Sequence, residues 1–167
     1  MSVRATSAIA DSPDSSGLSA QRGLALARIV IGAMFVWVFF ENYGKGLYTP
    51  DGYSGLINVY ITRGHAPALW KSVMAQAAAH ATIAAPMQAV AEIGFGVLLV
   101  VGLFTRPVAF AAGLFLTSLW VSEWGTAWIW ELLVPMGTAF ALALGGAGRY
   151  LGLDASLARR YPHSWLW

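Results

Sequence analysis

The stretch IAAPMQAVAEIGFGVLLVVGLFTR, residues 83–106, decides the fold because it joins the length of a membrane span to one central carboxylate. A hydrocarbon core about 30 Å thick needs roughly 20 apolar residues in a helix, and residues 83–104 supply that length. Glu92 lies near the middle, where a charged side chain costs on the order of 2.5–3.5 kcal/mol to insert. The sequence therefore predicts a helix that turns Glu92 toward protein or water.

The composition of the whole chain is that of a membrane protein. Of its 167 residues, 57% are hydrophobic and 11% are charged, whereas soluble domains carry about 25% charged residues. The net charge of +2 is too small to indicate nucleic acid binding. Because the chain has no cysteine, it has no disulfide, thiolate chemistry, iron–sulfur cluster or cysteine-ligated zinc of its own. Redox chemistry would need a bound organic cofactor or another subunit.

Further apolar segments predict an all-α integral membrane fold, an up-down four-helix transmembrane bundle. Its spans are expected at about residues 23–41, 83–104, 107–123 and 127–145.

The segments outside the spans are polar or amphipathic. Residues 1–22 predict a disordered cytoplasmic tail, residues 23–148 the membrane domain, and residues 149–167 an amphipathic interfacial tail. In that tail Asp154 is expected to cap a short helix, and Trp165 and Trp167 to lie at the lipid surface. The first apolar run follows Arg22, but it is too long for a signal peptide and no cleavage site follows it.

The long outer loop, residues 42–85, is expected to contain short interfacial helices at residues 55–61 and 66–85. A loop of this length is usually a functional lid or a packed cap, and the sequence leaves both open.

The distribution of basic residues predicts the topology through the positive-inside rule. One side would hold both termini and residues 105–107, and the other would hold Lys45, Arg63 and Lys71. We therefore expect a multi-pass protein of a bacterial-type inner membrane, with both termini cytoplasmic and the long loop outside. The arginines on the cytoplasmic side would be Arg4, Arg22, Arg106, Arg149, Arg159 and Arg160.

Glu92 needs a partner within the membrane. Gln88 lies four residues earlier, on the same helix face. Arg28 enters the first span and can either reach toward Glu92 or extend back to the surface. A buried Arg28–Glu92 pair would neutralise both charges and fix the register of the helices. The group is either a packing contact or a site for a proton or ligand.

A second polar group is expected at the outer end of the spans. Pro135 leaves the carbonyl of Glu131 without its helical donor, which opens the helix beside an acidic side chain. Glu123 and Lys45 fall at the same predicted level under the loop. We expect Glu131, Glu123 and Lys45 to line one aromatic-walled cavity, although the aromatic residues can equally be interface anchors.

Two further patterns concern cofactors and packing. His65, His80 and His163 all fall outside the predicted spans, so no haem, and no metal, is expected in the chain. The pairs Ala109/Gly113 and Gly137/Ala141 have the spacing of small residues at close helix contacts.

Taken in order, these motifs resemble those of the DoxX/DoxD family of small four-helix membrane proteins. The resemblance covers about residues 24–156. The residues that carry it are Arg28, Gly32, Lys45, Glu92, Gly94, Gly102, Leu103, Phe104, Thr105, Arg106, Ala109, Gly146, Gly148, Arg149, Tyr150 and Asp154. Of these, Gly32, Gly102, Arg106, Gly148 and Asp154 are expected to be structural.

DoxD-like members are similar to the small subunit of thiosulfate:quinone oxidoreductase, which would pass electrons from thiosulfate to membrane quinone. The resemblance implies a membrane subunit of a quinone-linked oxidoreductase, with quinone as cofactor and with partner subunits in or on the bilayer. It assigns no catalytic residue. Candidate residues for binding quinone or substrate are Arg28, Glu92, Gln88, Glu131, Glu123 and Lys45.

Two other functions stay open. The chain could be a non-catalytic membrane scaffold or assembly subunit, since its small-residue faces suit helix contacts. It could also be a small transporter or proton conduit that uses Glu92 and Glu131, a reading disfavoured by four short spans without an inverted repeat.

Overall fold

The computed structural model describes residues 13–167, with side chains from residue 17 onward. Over this part of the chain the fold is all-helical, with no strand. The helices are α1 (Pro13–Gly44), α2 (Pro50–Arg63), α3 (Ala68–Ala79), α4 (Ala81–Val101), α5 (Thr105–Ser122), α6 (Ile129–Gly145) and α7 (Asp154–Arg160), with a 3-10 turn at Ala147–Arg149.

The four long helices α1, α4, α5 and α6 occupy the four predicted spans, with shifted ends. α1 begins at Pro13, so the predicted disordered tail is helical from there, while its residues 1–12 lie outside the described part. α6 begins at Ile129, with Trp128 at its N-cap. Within the described chain, Gly17–Gly44 and Ala81–Val101 are long and apolar enough to cross a membrane, and Ile129–Gly145 is a shorter apolar helix.

α1 and α4 pack closely because glycines remove side chains from their crossing point. A Cβ on Gly32 would lie 2.7 Å from the backbone nitrogen of Val100, and one on Gly96 would lie 2.9 Å from that of Val36. The helices therefore touch backbone to backbone, as small residues allow in membrane helix pairs. This crossing fixes which residues of α1 face which residues of α4.

One hydrophobic core joins the four long helices. Each contributes buried side chains, among them Phe35, Leu99, Leu116 and Leu142, and the rings of Phe35 and Phe95 meet edge to face at 5.5 Å. Such a core orders the helices around one interior.

The predicted small-residue contacts form on α5 but not on α6. Ala109 is buried in the shared core, and a Cβ on Gly113 would lie 2.8 Å from the ring of Phe140. Gly137 and Ala141 are exposed instead. The bulky Phe140 fills the space that Gly113 leaves, so α6 contacts α5 through a different face from the predicted one.

The segment between α1 and α4 folds as a packed cap, here defined as residues 45–80 with α2 and α3. Thr49 and Pro50 start α2, with the Thr49 hydroxyl accepting a hydrogen bond from Gly52 N at 3.1 Å. A second hydrophobic cluster then joins the cap to α4 through buried Tyr53, Ile57, Met74, Ala81 and Ala85. We call this the cap end of the four long helices and the opposite one the distal end.

The distal end is closed by the chain that follows α6. The prediction that Asp154 caps its own helix is wrong, because it caps the start of α5. Its two carboxylate oxygens accept hydrogen bonds from Phe104 N and Thr105 N, each at 2.8 Å. An acidic side chain at a helix N-terminus satisfies backbone N–H groups that the helix itself leaves unpaired. Trp165 is exposed, as expected of an interfacial anchor, but Trp167 is buried.

Candidate functional site

Glu92 is buried between α1 and α4, with 1% of its surface exposed. It lies one turn before Gly96, on the face of α4 that packs against α1. This agrees with the prediction that Glu92 faces the protein interior. A buried carboxylate must find hydrogen-bond donors, because leaving it unpaired is costly.

Three neutral side chains donate hydrogen bonds to the Glu92 carboxylate. Gln88 Nε2 lies 2.8 Å from Oε1, a contact that their shared helix face allows. Asn42 Nδ2 lies 3.1 Å from Oε2, and the Tyr48 hydroxyl lies 2.5 Å from the same atom. We call these four residues the Glu92 cluster.

The cluster joins three elements of the fold. Asn42 belongs to the last turn of α1, Tyr48 to the cap just beyond it, and Gln88 to α4 itself. The Tyr48 ring stacks on Phe39 of α1 at a centroid distance of 5.3 Å, which holds its hydroxyl toward α4. The carboxylate therefore ties the cap to the helix pair beneath it.

No cation completes the cluster. In the described part of the chain the one ion pair is that between Lys45 and Glu41, at 2.6 Å on the surface. Burial, and then the neighbouring Glu92 carboxylate, raise the pKa of Tyr48 above its usual range, so Tyr48 stays protonated and able to donate. Among the described residues Glu92 is thus held by neutral hydrogen-bond donors alone.

The predicted Arg28–Glu92 pair is wrong. Arg28 is fully buried, but its Nη2 donates to the carbonyl oxygen of Leu151 at 2.7 Å, at the distal end. The Gly32–Gly96 crossing explains the difference, since in an antiparallel pair the residues before Gly32 in α1 face the residues after Gly96 in α4. Arg28 therefore lies beside Gly102, and Glu92 lies beside the last turn of α1.

Glycines make the space for the Arg28 guanidinium. A Cβ on Gly152 would lie 2.6 Å from Arg28 Nη1, and one on Gly102 would overlap the same nitrogen. Gly102 also has a φ of +68°, in the left-handed region that ends α4. Arg28 Nε and Nη1 have no hydrogen-bond partner within the described residues.

Two of the other predicted structural residues pack against one another at this end. A Cβ on Gly148 would overlap Asp154 Oδ2 and the hydroxyl of Thr105, so Gly148 is required for the approach of Asp154 to α5. Arg106, by contrast, lines a separate pocket in the same region.

The three residues predicted to line one outer cavity have different environments in the structure. Of the three predicted residues, Glu123 lines a cavity of about 90 Å³, whose walls also include Trp120, Trp124 and Trp128. Glu131 is exposed in the first turn of α6, and Lys45 is exposed and bound to Glu41. The expectation that Glu131, Glu123 and Lys45 line one cavity is therefore wrong, because the ion pair holds Lys45 beside α1.

Glu123 is the second carboxylate that the cap covers. The hydroxyl of Tyr60 in α2 donates to Glu123 Oε1 at 2.9 Å. Burial raises the pKa of Glu123, the charge of Glu131 adds to that rise, and the Tyr60 hydrogen bond opposes it. Trp70 of α3 donates to the neighbouring Ser122 hydroxyl at 2.9 Å, so both cap helices dock beside Glu123.

Asn42, Tyr48 and Tyr60 are the site residues that sequence reasoning missed. All three fall at the end of a span or in the loop after it, where polar residues are ordinary. Asn42 could have been found by aligning α1 and α4 as antiparallel neighbours, which sets its turn against Glu92. Nothing in the sequence marks Tyr48 or Tyr60.

An open apolar groove of about 900 Å³ runs along the outside of the α1–α4 pair. Its walls are formed by Val36, Trp37 and Phe40 of α1 and by Val97 and Val100 of α4, among others, and it also includes Glu41. The groove belongs to the same two helices that enclose Glu92, and it suits a long apolar chain.

Comparison with known proteins gives one match. The model of a family described as "TQO small subunit DoxD" matches residues 24–167. No match was found among curated proteins or among solved structures. The matched range extends beyond residues 24–156, to include the tail through Trp167, and it contains the whole Glu92 cluster, the cap and Arg28.

Proposed function

Because the chain belongs to the DoxD family, we propose that it is the small membrane subunit of a thiosulfate:quinone-type oxidoreductase. In this proposal the Glu92 cluster is the polar part of its quinone site. The observation that carries the proposal is the Glu92 carboxylate itself, buried in a helix long enough to span a membrane and held by neutral donors. Ionisable groups in such helices mark functional sites more often than packing sites.

The proposal includes a four-helix transmembrane bundle with both termini in the cytoplasm and the cap outside. α1 and α4 have the required length, and the core they share with α5 and α6 supports insertion of all four. α6 has 17 residues and spans about 26 Å, which a slightly thinned bilayer accommodates. Large apolar side chains cover the outside of these helices, as lipid contact requires, including Leu26, Trp37, Val90, Val134 and Leu144.

The residues around Glu92 fit the chemistry of a quinone. A quinone has carbonyl oxygens that accept hydrogen bonds, a flat ring and an apolar tail. The amides of Asn42 and Gln88 each have a second N–H besides the one that Glu92 accepts, and the stacked rings of Phe39 and Tyr48 supply an aromatic surface beside them. The groove along α1 and α4 has the volume and apolar walls to hold a tail.

A bound quinone would supply two-electron, two-proton redox chemistry. The part of this chain is to bind, orient and exchange protons: Glu92 would hold a proton on its carboxylate, and Tyr48 and Gln88 would keep that carboxylate in place. Since the chain has no cysteine, thiol chemistry on a sulfur substrate would take place on a partner subunit, which would also supply the electrons.

A second function, a non-catalytic scaffold, is favoured by one observation. Both carboxylate oxygens of Glu92 are already engaged by side chains of this chain, as in a purely structural polar cluster. In that case the cluster would only fix the cap on α1 and α4, and the protein would serve to assemble partners.

Replacing Glu92 by Gln separates the two functions. Gln keeps the shape and one acceptor oxygen, so the fold should persist, but it cannot exchange a proton at neutral pH. The complex would be purified in mild detergent with its partners, and thiosulfate-dependent quinone reduction and co-purifying quinone would be measured. We expect Glu92→Gln to lower the rate by at least about tenfold, within the range of general acid–base contributions.

The matched control is Asp51→Asn, which changes an exposed carboxylate in the cap, outside the Glu92 cluster and the groove. It should leave the rate within about twofold of wild type, because surface substitutions away from a site have small effects. Wild-type rate and quinone content in a folded Glu92→Gln complex would refute the quinone site and leave the scaffold. A reporter fused after Trp167 tests the topology separately and should be active only in the cytoplasm.

A further inference from the structure

The distal end holds a small polar pocket far from the Glu92 cluster in the fold. It has a volume of about 120 Å³ and lies between the beginning of α1, the beginning of α5 and the end of α6. No carboxylate is among the described side chains that line it. Its walls include Gln21, Leu24, Arg106, Gly146, Arg149 and Tyr150.

Arg106 presents its guanidinium to the backbone at the end of α6. A Cβ on Gly146 would lie 3.1 Å from Arg106 Nη2 and 3.3 Å from Nε, so the absence of a side chain there leaves room for the guanidinium. Nη1 donates to the main-chain oxygen of Trp165 at 3.3 Å. Nε is buried and has no hydrogen-bond partner within the described residues.

Arg149 also lines the pocket, and Arg22 contacts Tyr150 in its wall. Arg149 Nη2 donates to the main-chain oxygen of Trp167 at 2.8 Å, and Arg22 Nε donates to the hydroxyl of Tyr150 at 3.2 Å. Among the described residues no Asp or Glu side chain forms an ion pair with these arginines. The one ion pair there is Lys45–Glu41, at the cap end. No described Asp or Glu side chain lines the pocket, and Asp154 at the same end is engaged by Phe104 N and Thr105 N.

We propose that this pocket binds the phosphate group of an anionic phospholipid from the cytoplasmic leaflet. Guanidinium groups bind phosphate oxygens through charge-assisted hydrogen bonds, and the planar fork of arginine suits this better than lysine. Anionic lipids are concentrated in the cytoplasmic leaflet, where basic pockets between membrane helices recognise their headgroups. This inference rests on the membrane placement in the proposed function, which sets the distal end at that surface.

The surroundings of the pocket favour a lipid over a free phosphate ion. Leu151, Leu153 and Trp165 are exposed large apolar side chains in the segment that follows the pocket, and at a membrane surface they would contact acyl chains. A phosphate on Arg106 and Arg149 would then be continuous with lipid tails beside those residues. The same arginines hold the backbone of Trp165 and Trp167, so lipid binding should also order the C-terminal segment.

Lipid binding is tested on the isolated full chain in a neutral detergent, which needs neither quinone nor partner. The Tm and native mass spectra would be recorded with increasing phosphatidylglycerol, phosphatidylcholine or inorganic phosphate. We expect a saturable rise in Tm and retained lipid with phosphatidylglycerol alone. The Arg106→Gln/Arg149→Gln variant should bind it about tenfold more weakly or worse, the effect of losing charge-assisted contacts.

The matched control is Arg159→Gln/Arg160→Gln, which removes the same charge from α7 outside the pocket and should bind like wild type. Equal binding of phosphatidylcholine by the wild-type chain would overturn the proposal, whether or not any variant folds. An equal effect of inorganic phosphate would overturn the lipid as ligand, and equal losses in the two variants would overturn the pocket.

Alkaline carbonate extraction of cell membranes tests the placement independently. A chain that stays in the membrane but shows no preference for phosphatidylglycerol would refute the lipid site and leave the proposed function intact. A chain that washes out of the membrane would refute the placement and, with it, the lipid site.

Discussion

The hydroxyl of Tyr48 donates its hydrogen to the Glu92 carboxylate, across the junction between the cap and α4. Glu92 thus accepts from a residue outside α1 as well as from Asn42 in the last turn of α1. One hydrogen bond therefore contributes both to the docking of the cap on α4 and to the hydrogen bonding of the buried Glu92 carboxylate.

Tyr48→Phe should destabilise the protein while preserving the stacking on Phe39. Removing one donor leaves part of a buried carboxylate unsatisfied, which costs about 1–3 kcal/mol. Unfolding by denaturant in detergent would measure the loss. Tyr43→Phe is the control, because Tyr43 is exposed and also stacks on Phe39. Equal stability of the two variants would contradict the role given to the Tyr48 hydroxyl.

Arg28→Gln and Glu92→Gln should destabilise the protein independently. Arg28 lies beside Gly102 at the end of α4, whereas Glu92 lies near the middle of that helix, and the described residues give them no shared hydrogen-bond partner. Effects of such distant residues usually add to within about 0.5 kcal/mol. A double-mutant cycle on the free energy of unfolding tests this. A coupling above about 1 kcal/mol would indicate that the residues interact after all.

Gly96→Ala should loosen the α1–α4 contact. Its Cβ would meet Val36 N at 2.9 Å and Gly32 O at 3.1 Å, neither of which can move without the helix. Overpacking of this kind costs about 1–3 kcal/mol. Gly94→Ala, in the same helix with nothing within 4 Å of the new Cβ, should be neutral or stabilising by up to about 1 kcal/mol. Similar changes in the two variants, measured as Tm in detergent, would argue against the close contact.

The stability of the protein should fall with rising pH through the titration of Glu123. Burial raises the pKa of this carboxyl, so the folded state holds the proton more tightly than the unfolded state. Its contribution to stability is complete below the ordinary value of 4.5 and is lost as the pH rises through the folded-state pKa.

Glu123→Gln should remove that part of the pH dependence, because Gln stays neutral and its oxygen can still accept from Tyr60. The measurement is Tm in detergent from about pH 4.5 to pH 8, around the usual carboxyl range. Asp51→Asn, at an exposed position in the cap, should keep the wild-type slope. An unchanged slope in Glu123→Gln would exclude Glu123 as the titrating group.

Rules based on the cost of inserting polar groups into lipid predicted the positions of the helices and the direction of Glu92. Gln88 was placed on the same face as Glu92 because both residues lie on one helix, where spacing alone sets which side chains are neighbours. These features depend on the residues of one segment and on whether they face lipid or protein, so they can be predicted from that segment alone.

Contacts between segments were predicted poorly. Arg28 and Glu92 suggested a pair by charge, but the register of α1 on α4 is set by Gly32 and Gly96, whose effect is steric. Tyr48 reaches Glu92 through the fold of the cap, which depends on a separate hydrophobic cluster. Asp154 was assigned to the nearest helix start, yet it caps one that begins 49 residues earlier in the chain.

The capping of α5 by Asp154 also has a consequence for biogenesis. During synthesis Phe104 and Thr105 leave the ribosome well before residue 154, so their backbone N–H groups must first rely on other acceptors such as water. The Arg28 guanidinium likewise lacks the Leu151 carbonyl as an acceptor until that residue has been made. The distal end can close only after residue 154 has been made, and a chain cut short before Leu151 would leave Arg28 and the start of α5 without these partners.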